Sequence, residues 1–132
     1  MSSKKNSRGK TNRNKGNNAE RYYAKLFRDL GHEHCKTSRQ ASRLLDDCKV
    51  DLFGIPYNVQ IKAGYARGLN HSNILYEMKT ELTNNFPADD KLHSYPKLVL
   101  HHKNVGQGKR RNEFTQLVTM TLEDFLKITK NG

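Results

Sequence analysis

Acidic side chains are scarce in this sequence. Thirteen Asp and Glu face 24 Lys and Arg, giving a net charge of +11 over 132 residues. Apolar residues are also few, at 34%, and no run approaches the roughly eighteen that a membrane span needs. No secretory leader pattern is present, so the sequence reads as a cytoplasmic protein, neither secreted nor membrane-bound. With only Cys35 and Cys48 there is no disulfide framework, and without a second Cys pair no structural zinc knot. His32, His34 and Cys35 do not make up for this. On a strand the two histidines share a face and the cysteine points away.

What is present is cationic. An excess of this size on a small chain calls for a polyanionic partner. The basic N-terminal segment has almost nothing to insert into lipid, so nucleic acid leads over a membrane surface. Residues 1–16 hold six Lys/Arg and no acid. They have nothing with which to build a core and read as a disordered basic arm ahead of one domain over 17–132.

Within that domain the spacing of Ala19, Tyr23, Leu26, Phe27 and Leu30 predicts a helix over 18–30, capped by Asn17 or Asn18 and stopped at Gly31. Strands are expected at 32–37, 49–54, 57–63, 97–103 and 113–120. A helix is expected at 72–85, and a last one begins at Thr121 with a T-x-x-D capping pattern. Leu122, Phe125, Leu126 and Ile128 are its expected apolar contacts. Residues 38–48 fit either a loop or a short helix. The order is α-β-β-β-α-β-β-α.

The chemistry concentrates in "VDLFGIPYNVQIKAG", residues 50–64, read as a hairpin. Alternation puts Val50, Leu52, Val59 and Ile61 on a core face. Asp51 then lies near Gln60, with Lys62 beyond it, on a polar face. Such a face can simply meet water. It can also form a metal site, because a hard cation such as Mg²⁺ takes oxygen ligands and few carboxylates. Asp51 offers a carboxylate, Gln60 an amide oxygen and Ile61 a backbone carbonyl. Glu20, beside the apolar stripe of the first helix, completes the set. Lys62 is placed to neutralise charge developing on a phosphate. Asp46 and Asp47 compete with Asp51 as ligands but sit in a less regular stretch.

"KGNNAER" (15–21), the helix stop at Gly31, "VDLFG" and "VQIKAG" together resemble the PD-(D/E)XK nuclease superfamily, most closely its archaeal-type Holliday junction resolvases. The resemblance spans about 15–64. It implies a restriction-endonuclease-like αβββαβ core, a mixed central sheet flanked by helices. It makes Glu20, Asp51, Gln60 and Lys62 catalytic, with Mg²⁺ (or Mn²⁺) on Asp51, Gln60, the Ile61 carbonyl and Glu20, and no small-molecule cofactor. Gln60 departs from the usual acid and removes a formal charge from the site. Some branches carry the same Q-x-K. The family also places a hydroxyl and a basic residue ahead of the Asp, for which Ser38, Arg39, Ser42 and Arg43 are candidates. Lys15, Arg21, Arg39 and Arg43, together with Lys109, Arg110 and Arg111 in a Gly-rich loop, are the expected DNA contacts. The expected activity is structure-selective cleavage of branched DNA such as four-way junctions by a homodimer. Alternatives are a nuclease of the same fold acting on flaps, nicks or single-stranded ends, and an inactive basic nucleic-acid-binding module.

Overall fold

The computed structural model describes residues 2–64, 69–103 and 114–131, with the backbone alone for 2–13 and 131. Helix α1 (Ser2–Asp29) leads to strand β1 (Lys36–Thr37), short helices α2 (Ser38–Ala41) and α3 (Arg43–Asp47), and strands β2 (Leu52–Phe53) and β3 (Asn58–Ala63). Helix α4 (His71–Asn85), a 3-10 turn (Lys91–Ser94), β4 (Lys97–His102), β5 (Gln116–Met120) and α5 (Leu122–Asn131) follow. This is the α/β order expected from the sequence, with 38–48 resolved into two short helices. Among the described residues no helix is long and apolar enough to cross a membrane.

Strands β3 and β4 are parallel, joined by a crossover through α4, and β5 adds antiparallel to β4. The result is a three-stranded mixed sheet with helices on its faces. Ladder register sets Val59 beside Leu98 and Ile61 beside Leu100. These four pack with Ala19, Tyr23 and Ala24 of α1. A second cluster holds Cys48, Val50 and Leu92 with Met78 and Leu82 of α4. Both cysteines are buried free thiols, and burial raises the pKa of each.

Three expectations change. Helix α1 begins at Ser2, so neither Asn17 nor Asn18 caps it, and the basic segment expected to be disordered carries helical backbone. Once the packed turns of α1 form, each added residue gains a hydrogen bond, which lets the helix extend N-terminally beyond them. Within α1 the buried line is Ala19, Glu20, Tyr23 and Ala24, while Leu26 and Leu30 face solvent. Helix α5 likewise leaves Leu122, Phe125 and Leu126 exposed. It is tied down through Asp124, whose carboxylate accepts from the Lys97 N–H at 3.0 Å. Thr121 caps the Asp124 N–H, half of the expected box.

The stop at Gly31 forms as expected. At φ +116° it closes paired bonds from Gly31 N–H to the Arg28 carbonyl and from His32 N–H to the Phe27 carbonyl. Gly54 has a different constraint. At φ +89° an added Cβ would lie 2.6 Å from the His34 carbonyl oxygen. Gly31→Ala is therefore expected to cost about 1 kcal/mol from its backbone conformation alone. Gly54→Ala is expected to cost about 2–4 kcal/mol, because backbone must also move. Urea unfolding of the two variants measures the difference, and equal costs would show that the β1–β2 approach is loose.

Candidate active site at the edge of strand β3

The expected hairpin between 49–54 and 57–63 does not form as a ladder. Strand β2 pairs instead with β1, Lys36 opposite Phe53 and Thr37 opposite Leu52. The link to β3 runs through a single residue. Asp51 N–H donates to the Val59 carbonyl at 2.7 Å, and the Asp51 carboxylate accepts from the Ile61 N–H at 2.7 Å. Asp51 thus sits across from Gln60, as expected, but its side chain fills the place of the next backbone rung.

Helix α3 delivers Asp51 to that place. Its last turn closes with Lys49 N–H on the Asp46 carbonyl and Val50 N–H on the Leu45 carbonyl, with Lys49 at φ +71°. This is the paired-bond helix stop usually made by glycine. The turn sends Val50 into the α4-side cluster while Leu52 joins the α1-side cluster. Val50 therefore does not share the core face expected for it with Leu52, Val59 and Ile61, because the left-handed turn breaks the alternation between them.

The N–H groups of Val59 and Ile61 alternate with those that reach β4, and a strand residue points its N–H and C=O to the same edge. The Ile61 carbonyl accordingly faces the Asp51 edge, away from β4. Gln60 and Lys62 project to the sheet face opposite Val59 and Ile61. Gln60 is 9% exposed, and its amide makes no hydrogen bond among the described residues. From α1, Glu20 is 7% exposed and is gripped by the Arg39 guanidinium at 3.3 and 3.4 Å.

The Asp51 carboxyl records how close these charges are. Its pKa is pushed up to about 7, first by burial and further by the negative Glu20 and Asp46, against the Ile61 N–H and Lys62, which pull it down. Of the residues expected from sequence to meet, Glu20 and Lys62 are thus each within electrostatic reach of Asp51, as is Asp46. Arg39, expected on a phosphate, spends its fork on Glu20, which raises its own pKa. Nothing in strand alternation signals that pairing. Ser38 donates its N–H to the Asp51 carbonyl at 2.8 Å. Its fully buried Oγ is the one buried side-chain polar atom without a partner among the described residues. Lys15, Arg21 and Arg43 are exposed. Lys109, Arg110 and Arg111 lie outside the described residues.

No group of three His, Cys, Asp or Glu side chains among the described residues has metal-holding geometry. A cation here must rely on one carboxylate plus neutral oxygens. The donor set fits that case: the second Asp51 oxygen, the Ile61 carbonyl and the Gln60 amide are hard oxygens. A cleft of 520 Å³ among Leu45, Ile55, Tyr57, Phe86 and Tyr95 contains none of these groups.

No family model, curated protein or solved structure matches the chain.

An acid whose folded pKa exceeds its unfolded value of 3.8 stabilises the fold only while protonated. Stability from Asp51 therefore falls as pH rises from about 4 to about 7, and the full penalty stands above pH 7. Asp51→Asn keeps an acceptor for the Ile61 N–H and removes the penalty. It is expected to raise Tm at pH 8 by about 3 °C or more, with little change at pH 4. A thermal melt at both values tests this, and equal shifts at the two would show that Asp51 ionises freely.

Proposed function

We propose that this chain is a metal-dependent, structure-selective DNA endonuclease of restriction-endonuclease-like fold, acting on branched DNA as a Holliday junction resolvase does. One observation carries the reading. The Asp51 carboxylate, fixed on the Ile61 N–H at the edge of β3, lies within electrostatic reach of both Glu20 from α1 and Lys62 from β3, and the Ile61 carbonyl points to the same edge. The order of elements and the net charge of +11 support it.

In this reading Asp51, Gln60 and the Ile61 carbonyl would hold a Mg²⁺ or Mn²⁺ ion, with Glu20 as a further ligand. Such an ion supplies Lewis acidity when bound. Asp51 must be ionised to hold it, and the Ile61 N–H fixes the carboxylate in orientation. Lys62 neutralises charge that builds on the phosphate during hydrolysis. Glu20, pinned by Arg39, orients the attacking water. The buried Ser38 hydroxyl is, with Ser42, a candidate for the hydroxyl that the family pattern calls for. Phosphate contacts from Lys15, Arg21 and Arg43 give affinity without reading sequence, which suits recognition of shape. A homodimer fits the exposed apolar face of α5, since two coordinated cuts need two sites.

A second reading is a basic nucleic-acid-binding module with no activity. The Gln60 amide and the commitment of Glu20 to Arg39 favour it. Cleavage of a labelled four-way junction decides between them. Cutting is expected with Mg²⁺ or Mn²⁺ and to rise as pH passes through about 7. Asp51→Asn and Lys62→Ala are each expected to lower the rate at least about 100-fold, while junction binding holds within about threefold. Retained cutting in both variants would place the chemistry elsewhere. Binding without cutting under either metal would establish the inert module, and equal cutting of flaps and linear duplex would remove the junction preference. By calorimetry, Gln60→Glu is expected to tighten Mg²⁺ binding. Unchanged affinity would take Gln60 out of the ligand set.

A further inference from the structure

Near the C-terminal ends of β3 and β4 lies a second feature, separate from the Asp51 cluster. A cleft of 410 Å³ is lined by Lys15, Asn18, Ala19, Tyr22, Ala63 and His102. Behind it runs a hydrogen-bonded chain drawn from three elements. Gln116 Nε2 of β5 donates to the Tyr23 hydroxyl oxygen at 3.0 Å, and that hydroxyl lies 2.8 Å from His102 Nδ1. With Gln116 donating to its oxygen, the Tyr23 proton is free for Nδ1, and we assign it there. His102 is then held as the Nε2–H tautomer, and Nε2–H has no partner among the described residues. Tyr23 is 3% exposed, so water does not compete for the chain.

The polar groups of the lining residues are an ammonium, an amide, a phenol and this imidazole N–H, and no carboxylate is among them. A cleft rich in donors and free of acids, at the C-terminal ends of parallel strands, suits an oxyanion. Tyr22, half exposed, adds an aromatic wall with its ring centroid 6.2 Å from that of His102. Ala19 precedes Glu20 and Ala63 follows Lys62, so the cleft begins one residue from each along the chain.

We propose that this cleft binds a backbone phosphate of nucleic acid, with Lys15 and His102 Nε2–H as its main donors and Tyr23 as the positioning residue that sets the His102 tautomer. This rests on the nucleic-acid reading above and gives it a second phosphate subsite, beside the one at Asp51.

The test is ¹⁵N–¹H NMR of the histidine side chains on the full chain, in chelator and without metal. His102 is expected as the Nε2–H tautomer, and its resonances are expected to move saturably on titration with inorganic phosphate and with a short single-stranded oligonucleotide. Lys15→Ala and His102→Gln are each expected to weaken both ligands by about 3- to 10-fold. Tyr23→Phe is expected to do the same and also to mix the tautomers, which loss of packing alone would not. If Tyr23→Phe unfolds, Lys15→Ala at its exposed position keeps the question open to a clear answer. A silent His102, or unchanged affinity in Lys15→Ala and His102→Gln, overturns the proposal. Response to phosphate but not to the oligonucleotide overturns its assignment to nucleic acid. No cleavage enters this measurement, so an inactive protein that still binds sinks the nuclease reading and leaves the subsite standing. Cleavage with a silent His102 does the reverse.

Discussion

The bond from the Ile61 N–H to the Asp51 carboxylate, 2.7 Å long, organises the functional edge of this molecule. A backbone ladder would have occupied that N–H with a neighbouring carbonyl and pushed the acid outward. Here the side chain takes the rung, so the carboxylate is drawn half into the protein and fixed against the strand that carries Gln60 and Lys62. The burial that raises its pKa and the hydrogen bond that lowers it have the same origin. An acid held in this way is costly to the fold when ionised and pre-oriented for a cation when one arrives.

Helix α1 supplies the other half of the arrangement. Ala19, Tyr23 and Ala24 seat it on the sheet, and Glu20, one position on from Ala19, is carried into the same buried line. There Arg39 closes over it. The same seating places Tyr23 against His102 and Gln116. Packing of one helix face therefore positions two polar groups, one toward the strand edge and one toward the strand ends. The opposite case is α5, whose apolar residues meet solvent because the helix is held by the Asp124 bond to β4 rather than by its own stripe.

Much of the fold was legible in the sequence where a local rule acted alone. Strand β3 follows from alternation, α4 from the spacing of Leu75, Met78 and Leu82, and the end of α1 from Gly31. The candidate site was legible in part, since Glu20 and Lys62 lie on elements that could be drawn in advance, whereas Asp51 sits in a turn where a strand was expected. Less visible were the short strand β2, its pairing with β1, and the separation of Val50 from Leu52. Each depends on the left-handed turn at Lys49, a residue that carries no glycine signal. The partnership of Arg39 with Glu20 was hidden for a different reason: it joins two helices nineteen residues apart, and no periodicity links them.

By itself the sequence determined the charge, the alternation along β3 and the residue types able to hold a hard cation or a phosphate. Those properties belong to single residues and their near neighbours. Only the tertiary structure decided that Asp51 would replace a ladder rung, that Arg39 would close on Glu20, and that the Tyr23 hydroxyl would lie between His102 and Gln116. Each is a contact between distant segments, fixed by which faces bury together and by the cost of leaving a buried polar group without a partner.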